Sequence, residues 1–186
     1  MRVRPHVTRY LDAIGRTLAK VGMTPTAMTA LGLALVLAGS IMVATGRLVS
    51  GAWVIALGSA LDGLDGAVAR ASGKVSPRGA FLDSAFDRIG EIAAFAGLAF
   101  ARAGEARILL LIVIAVGGSM LVPYMRAKAE AEGLVGTGGL MGRTERLIVF
   151  CAGLVFGVVE PMLWVYVVLV WMTAFTRFIR SYRSIK

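Results

Sequence analysis

The 186-residue chain contains a single cysteine, a single histidine and only 11 acidic residues. Cys151 has no second cysteine to pair with, so an intrachain disulfide is excluded and a thiolate metal cluster is not expected. His6 stands near the start of the chain, where a role in topology or packing is favoured over catalysis. The glycine-rich segment 136–139 is not followed by the Lys-Ser/Thr pair of a phosphate loop, which indicates a flexible connector.

Charged residues are also scarce, and their scarcity points to the membrane. They make up 17% of the chain, whereas soluble domains carry about 25%. Hydrophobic residues reach 58% and the mean hydropathy is +0.78, which is enough for several membrane spans in one domain. Residues 1–20 are basic but hold no continuous apolar stretch before a small-residue cleavage site, so a removable signal peptide is not indicated.

The chain is predicted to be an all-α integral membrane protein with six transmembrane helices preceded by an amphipathic interfacial helix. Each predicted span is close to the roughly 20 residues that cross a bilayer. The spans cover approximately 27–46, 51–70, 80–101, 106–125, 145–160 and 162–179. Glu160–Pro161 separates the last two spans. Residues 25–186 form the predicted membrane domain.

Residues 1–24 are predicted to form a juxtamembrane helix on the cytoplasmic surface. Their apolar residues recur at helical spacing with basic residues between them: Val7, Leu11, Ile14, Leu18 and Val21. A simple basic topology anchor is the alternative interpretation, and the two are compatible.

The net charge of +9 is spread over the ends of the apolar segments rather than gathered in one stripe. This distribution argues against nucleic-acid binding. Basic residues interleaved with spans set topology and attract anionic lipid heads. With six spans, most of the 20 basic residues fall on the side that holds both termini. The positive-inside rule places that side in the cytoplasm, so we expect a multi-pass plasma-membrane protein with both termini cytoplasmic.

Four aspartates lie close together in the sequence, in or near predicted spans. Asp62 and Asp65 are three residues apart, and Asp83 and Asp87 are four apart, so on helices each pair shares a face. Carboxylates in a membrane are costly and call for a functional partner. Oxygen ligands suit a hard cation, Mg²⁺ or Mn²⁺ first and Ca²⁺ second. Four carboxylates packed together repel one another unless cations neutralise them, so the site is expected to have room for two ions. Two ions can together bind a diphosphate.

Basic residues accompany these acids in the predicted cytoplasmic loop. Arg70, Lys74 and Arg78 can bind phosphate oxygens there. Carboxylates, metal ions and bases at a cytoplasmic membrane interface indicate chemistry on a phosphate-bearing lipid. The alternative is a structural ion-pair network between spans.

The acidic segment resembles the signature of the CDP-alcohol phosphotransferase family, D-x2-D-G-x2-A-R-x8-G-x3-D-x3-D. The matching residues, with every spacing kept, are Asp62, Asp65, Gly66, Ala69, Arg70, Gly79, Asp83 and Asp87. The resemblance implies a homodimer of six-helix protomers with the active site open to the cytoplasmic leaflet.

The same resemblance assigns roles to the motif residues. Asp62, Asp65, Asp83 and Asp87 would bind the metal, and Asp87 would also be the general base. Contacts to the CDP-linked lipid are implied for Gly66, Arg70, Ser76, Thr26 and Thr29. The acceptor hydroxyl would attack the lipid-bound phosphorus, with CMP leaving.

The segments 124–134, 138–140 and 143–147 resemble the phosphatidylinositol-phosphate synthase branch and its archaeal ether-lipid relatives. In that branch a basic cluster binds the acceptor's phosphate, and the residues at matching positions here are Arg126, Lys128, Arg143, Arg146 and Arg177. The resemblance favours inositol 1-phosphate as acceptor over glycerol 3-phosphate. Departures from the branch include Thr26 after Pro25 and Thr144 within Gly142–Arg146.

Two functions of other classes use some of the same residues. A divalent-cation transporter accounts for acids in spans but not for Arg70 or the motif glycines. A non-catalytic lipid-binding scaffold has no need of all eight motif residues. Glu91, one turn after Asp87, is expected to pair with Arg88 or a basic loop residue rather than to bind metal.

Overall fold

The computed structural model describes residues 13, 15–18 and 22–185, and the regular secondary structure of these residues is entirely helical. From Thr24 onward the helices are α1 (Pro25–Ala44), α2 (Leu48–Asp62), α3 (Asp65–Ser72), α4 (Pro77–Ala101), α5 (Ala106–Ala131), α6 (Arg143–Val155) and α7 (Val159–Ser184). The prediction of an all-α fold is confirmed.

Most of the predicted juxtamembrane helix, residues 1–24, lies outside the described residues. Residues 15–18 within it are helical. Gly15 is buried against α3, where an added Cβ would lie 2.7 Å from the backbone carbon of Ala67. This contact places the described part of the segment against α3, the helix that begins with Asp65 of the acidic motif.

Two of the helices begin with side-chain caps followed by proline. The Thr24 hydroxyl accepts a hydrogen bond from the Ala27 N–H at 3.2 Å and precedes Pro25, which begins α1. Ser76 caps α4 in the same way, ahead of Pro77, with Gly79 N–H as donor at 3.1 Å. Proline suits the first helical position because its missing N–H has no partner there anyway. These caps fix where the membrane helices start.

Four helical stretches are long and apolar enough to cross a membrane: Pro25–Ala44, Leu48–Ser72, Ala106–Ala131 and Val159–Ser184. α4 is long enough but carries charged residues. α6 has only 13 residues, or about 20 Å at 1.5 Å per residue, whereas the hydrocarbon core is about 30 Å thick.

The boundary between the last two predicted spans is displaced. α6 ends at Val155, and Gly157 adopts a left-handed φ of 70°, a conformation in which glycine is favoured. Glu160 and Pro161 lie in the first turn of α7 rather than between helices. The proline is tolerated because the first N–H groups of a helix have no intrahelical acceptor.

Glycines bring α1 and α2 into close contact. An added Cβ at Gly58 would lie 2.6 Å from the Gly32 carbonyl oxygen, and one at Gly51 would lie 2.7 Å from that of Gly39. Two points of backbone approach, seven residues apart on each helix, hold the pair together. A Cβ at Gly32 would lie 2.8 Å from the Cβ of Asp62, so this packing sets the first motif aspartate against α1.

The remaining helices pack around this pair. α4 packs on α1, α5 on α7, and α6 bridges α2 and α7. At the centre, the Phe95 ring makes edge-to-face contacts with Phe150 at 4.9 Å and with Tyr166 at 5.2 Å. These three rings join α4, α6 and α7 directly beneath the charged end of the bundle.

Candidate active site

Three aspartates converge at one end of the helical bundle. One carboxylate oxygen from each of Asp62, Asp83 and Asp87 lies within 4.8 Å of the others. Asp62 is the last residue of α2, and the other two lie four residues apart on α4. We call these three residues the acid cluster. The motif's two halves, 21 residues apart in sequence, therefore meet in space.

The turn between α2 and α3 separates the two aspartates of the motif's first half. The sequence predicted one continuous helix over 51–70, but α2 ends at Asp62 and α3 begins at Asp65 after a turn at Gly63–Leu64. As a result Asp65 stands outside the acid cluster. Its Oδ2 accepts a hydrogen bond of 2.8 Å from the Thr29 hydroxyl of α1.

A guanidinium group bridges the acid cluster. Arg143 Nη2 lies 2.5 Å from Asp62 Oδ2 and 2.5 Å from Asp87 Oδ1. The contact with Asp62 is a hydrogen bond, whereas the contact with Asp87 Oδ1 is an ion pair outside hydrogen-bonding geometry. Arg88 Nη2 is 3.3 Å from Asp87 Oδ2. The space between two of these carboxylates thus already favours a positive charge.

The acid cluster has the donor set of a hard-cation site. Asp62 Oδ1 is buried and has no hydrogen-bond partner among the described residues, which is costly unless a ligand satisfies it. Ligands of one octahedral Mg²⁺ lie up to about 4.2 Å apart, close to the observed spread of 4.8 Å. The carboxylates therefore fit a divalent ion.

A cavity of about 1040 Å³ opens beside the acid cluster. Residues 83, 84, 87 and 88 of α4 form part of its wall, and the rest comes from the end of α5, residues 137–140 and 142, the start of α6 and Arg177 of α7. Five of its lining residues are arginines: Arg88, Arg126, Arg143, Arg146 and Arg177. A large cavity with this charge suits an anionic ligand with several oxygen atoms.

The sequence profile described as CDP-alcohol phosphatidyltransferase matches residues 22–179. The chain belongs to this family. It is therefore a membrane transferase of phospholipid biosynthesis, and the transporter and scaffold alternatives are not supported.

This transferase is similar to archaetidylinositol phosphate synthase of Pyrococcus horikoshii, with 35% identity over 180 residues, 95% of this chain and 93% of that protein. It is 40% identical over 154 residues to phosphatidylinositol phosphate synthase of Mycobacterium marinum, covering 81% and 66% of the two chains. The crystal structure of the Mycobacterium tuberculosis phosphatidylinositol phosphate synthase with CDP-DAG bound superposes with a TM-score of 0.85 at 32% identity, over 94% of both chains. Another structure of that enzyme contains manganese and citrate.

Within the transferase, the cavity takes in four of the five basic residues that the sequence singled out. Lys128 is the exception, because its side chain is exposed and its Nζ lies 2.6 Å from Glu132 Oε1 on the same helix. Arg126 lines the cavity while paired with Glu130 at 2.8 Å. The side chain of Lys128 is thus not brought to the other four.

Arg177 uses part of its guanidinium to hold the cavity wall. Its Nε donates to the Gly138 carbonyl at 2.9 Å and its Nη1 to that of Val122 at 2.7 Å. The nearby Thr173 hydroxyl accepts hydrogen bonds from the N–H groups of Leu140 and Met141, at 3.2 and 3.0 Å. Sequence reasoning missed Thr173, whose role depends on a loop folding back onto α7.

The residues predicted to contact the CDP-linked lipid lie around α3 and the starts of α1 and α4. A Cβ added at Gly66 would find Arg70 Nη1 at 3.6 Å, so the arginine reaches back across the glycine. Thr29 is buried against Asp65, and Thr26 is exposed one turn earlier. Ser76 is the exposed cap of α4. The hydrogen bond to Asp65 connects Thr29 with α3, whereas Ser76 lies at the start of α4, the next helix along the chain.

Proposed function

We propose that this transferase moves a phosphatidyl-type group from a CDP-linked lipid, CDP-diacylglycerol or its ether analogue, to inositol 1-phosphate, releasing CMP. The observation that carries the proposal is the acid cluster standing in the wall of an arginine-lined cavity. A phosphorylated polyol bound there would have its phosphate among arginines and a hydroxyl beside Asp87.

The reaction is one displacement at phosphorus. The acceptor hydroxyl oxygen forms a bond to the lipid-bound phosphorus, and the bond from that phosphorus to the oxygen of the cytidine-bearing phosphate breaks. Asp87 accepts the hydroxyl proton as general base. Its place at both the acid cluster and the cavity wall supports this role. The leaving group departs as CMP.

Asp62, Asp83 and Asp87 would hold the divalent metal, with Asp65 on the neighbouring helix as the fourth ligand. Two Mg²⁺ or Mn²⁺ ions per protomer would neutralise charge on the diphosphate and on the leaving phosphate. The Thr29 hydroxyl, 2.8 Å from Asp65 Oδ2, would keep that carboxylate oriented. Manganese in the structure of the mycobacterial synthase supports a divalent ion here.

The donor would lie on the α3 side of the acid cluster. Gly66 offers close backbone approach, and Arg70 offers a guanidinium for the diphosphate. Thr26, Thr29 and Ser76 would contribute hydroxyl contacts at the starts of α1 and α4. The CDP-DAG complex of the mycobacterial synthase supports a CDP-linked lipid as donor.

The acceptor phosphate would be bound by the cavity arginines, Arg126, Arg143, Arg146 and Arg177. Relatives named for archaetidylinositol phosphate and phosphatidylinositol phosphate synthesis support inositol phosphate over glycerol 3-phosphate. A contribution from Lys128 stays a prediction from the sequence, since its side chain pairs with Glu132 and does not line this cavity.

For the membrane arrangement we propose that α4 and α6 complete a set of six spans. The active site and both termini would face the cytoplasm at the plasma membrane, with residues 1–24 as an interfacial helix. The basic ends of the helices support this orientation through the positive-inside rule. The family resemblance supports a homodimer.

Release of CMP by the purified full-length protein tests the proposed function. Reactions contain CDP-diacylglycerol, Mg²⁺ and one acceptor: inositol 1-phosphate, glycerol 3-phosphate or unphosphorylated inositol. We expect the largest kcat/KM with inositol 1-phosphate and little turnover with inositol. A larger kcat/KM with glycerol 3-phosphate would contradict the acceptor assignment, and no CMP release with any acceptor would contradict the reaction itself.

A further inference from the structure

A buried polar network lies one helical turn deeper than the acid cluster. Glu91 follows Asp87 by four residues on α4, and Arg146 follows Arg143 by three on α6. Arg146 Nε donates to Glu91 Oε1 at 2.7 Å and its Nη2 to Glu91 Oε2 at 3.1 Å. This is a two-point pairing of planar groups, which fixes orientation as well as distance.

A phenol and a hydroxyl extend the network across the bundle. The Tyr166 hydroxyl donates to Glu91 Oε1 at 3.0 Å, and Ser119 Oγ lies 2.7 Å from the same phenolic oxygen. Because the single phenolic proton goes to the carboxylate, the serine is the donor to the tyrosine. The chain of hydrogen bonds runs from Ser119 through Tyr166 to Glu91, and it joins α5, α7, α4 and α6.

Arg146 connects this network to the large cavity. Only 3% of the residue is exposed, yet it belongs to the cavity wall beside Asp87. Its bonds to Glu91 and one of 3.4 Å to the Met141 carbonyl account for three of its five N–H groups. The guanidinium can therefore stay paired with Glu91 while it donates to a phosphate in the cavity.

Bundle stability alone does not account for such a network. Replacing a buried ion pair by apolar residues of similar size is often neutral or stabilising. Glu91, which also accepts a hydrogen bond from Tyr166, can fix the orientation of the arginine. Ligand-binding groups act best when supporting residues immobilise them.

Resting on the proposed function, we infer that Glu91 and Tyr166 are positioning residues for the acceptor. With Ser119 behind them, they hold the Arg146 guanidinium so that its remaining N–H groups face the acceptor's phosphate. Neither residue is among those assigned to the CDP-linked lipid, and neither lines the acceptor cavity itself. Their loss should therefore weaken use of the phosphorylated acceptor and leave use of the donor nearly unchanged.

Steady-state kinetics of CMP release, with each substrate varied in turn, test this inference on the full-length protein. For Tyr166→Phe we expect the KM for inositol 1-phosphate to rise about 3- to 10-fold, as for one lost hydrogen bond. For Glu91→Gln we expect about 10- to 100-fold, the usual cost of removing an orienting partner. Glu91→Asp, which keeps the carboxylate, should restore part of the loss.

Two variants serve as matched controls. Tyr182→Phe removes a phenolic hydroxyl from an exposed residue near the end of α7, and Ser40→Ala removes a buried hydroxyl that bonds the Val36 carbonyl at 2.7 Å. Neither residue lines the acceptor cavity. Both variants should keep the wild-type KM for the acceptor.

The outcomes separate this inference from the proposed function. An unchanged acceptor KM in Tyr166→Phe, or equal changes in the KM of both substrates, overturns the positioning role. Should Glu91→Gln not fold, the shape-preserving Tyr166→Phe decides. If the wild type uses only glycerol 3-phosphate, the acceptor assignment fails and the same KM comparison is made with that phosphate ester. No turnover with either acceptor overturns both proposals.

Discussion

Two acidic sites follow each other along α4, and they differ in how their oxygens are satisfied. At Asp83 and Asp87 the carboxylates face one another and Asp62, and the buried Asp62 Oδ1 has no hydrogen-bond partner among the described residues. One turn deeper, Glu91 receives hydrogen bonds from Arg146 and Tyr166. The first arrangement is suited to a ligand that carries charge, and the second to holding a neighbouring group still.

The largest expected effect concerns the ion that the acid cluster is suited to bind. Removing divalent ions with EDTA should reduce CMP release to background, because the carboxylates would then repel the diphosphate. Adding back Mg²⁺ or Mn²⁺ in excess should restore it. Activity that persists after complete chelation would show that the acid cluster does not need a metal ion, and the proposed difference between it and the Glu91 site would then be wrong.

Asp87→Asn should lower kcat by roughly 10³-fold, since general-base catalysis contributes about 10²- to 10⁴-fold. The amide keeps the shape of the side chain, so the solubilised protein should retain its thermal unfolding temperature within a few degrees. Glu105→Gln, which removes an exposed acid between α4 and α5 that pairs with Arg102, is the control and should keep full activity. Near-normal turnover of Asp87→Asn would remove Asp87 from its role as base.

A smaller effect separates two basic residues on α5. Arg126→Ala should raise the KM for inositol 1-phosphate by about 10-fold, as for a lost charge-assisted hydrogen bond. Lys128→Ala should change it by less than about twofold, because exposed ion pairs such as that with Glu132 contribute little. Equal effects of the two substitutions on this KM would show that the acceptor phosphate lies elsewhere.

Asp65 is intermediate between the acid cluster and the Glu91 site, because it belongs to the motif and already accepts a hydrogen bond from the Thr29 hydroxyl. Thr29→Val should raise the Mg²⁺ concentration for half-maximal activity by about 3- to 10-fold, as expected for one hydrogen bond, with kcat at saturating metal changed less. Ser72→Ala removes a hydroxyl that donates to the Val68 and Ala69 carbonyls within α3 and is the control. An unchanged metal requirement in Thr29→Val would separate Asp65 from the metal site.

The sequence predicted the all-helical fold and a convergence of four motif aspartates, and the structure brings three of them together, Asp62, Asp83 and Asp87. It did not predict the turn at Gly63–Leu64. Apolar residues on both sides read as one span, and the turn leaves Asp65 facing Thr29. Local pattern cannot distinguish a continuous helix from two helices joined by so short a turn.

The sequence contained a signal that separates Arg126 from Lys128, but it contained none that identifies the partner of Glu91. Arg126 and Lys128 are two residues apart on α5, and such residues do not share a helix face, so helical geometry alone allows only one of them in the cavity. The pairing of Glu91 depends on how α4 packs against α6. The sequence offered Arg88 or a basic loop residue as partner, and tertiary structure selected Arg146, at the start of α6.

Binding of Mn²⁺ to the purified protein, followed by electron paramagnetic resonance, tests the central contrast most directly. The wild type and Glu91→Gln should bind Mn²⁺ with similar affinity, whereas Asp62→Asn and Asp83→Asn should weaken binding by more than about 10-fold. Wild-type affinity in both aspartate variants, or its loss in Glu91→Gln alone, would contradict the assignment of the metal to the acid cluster.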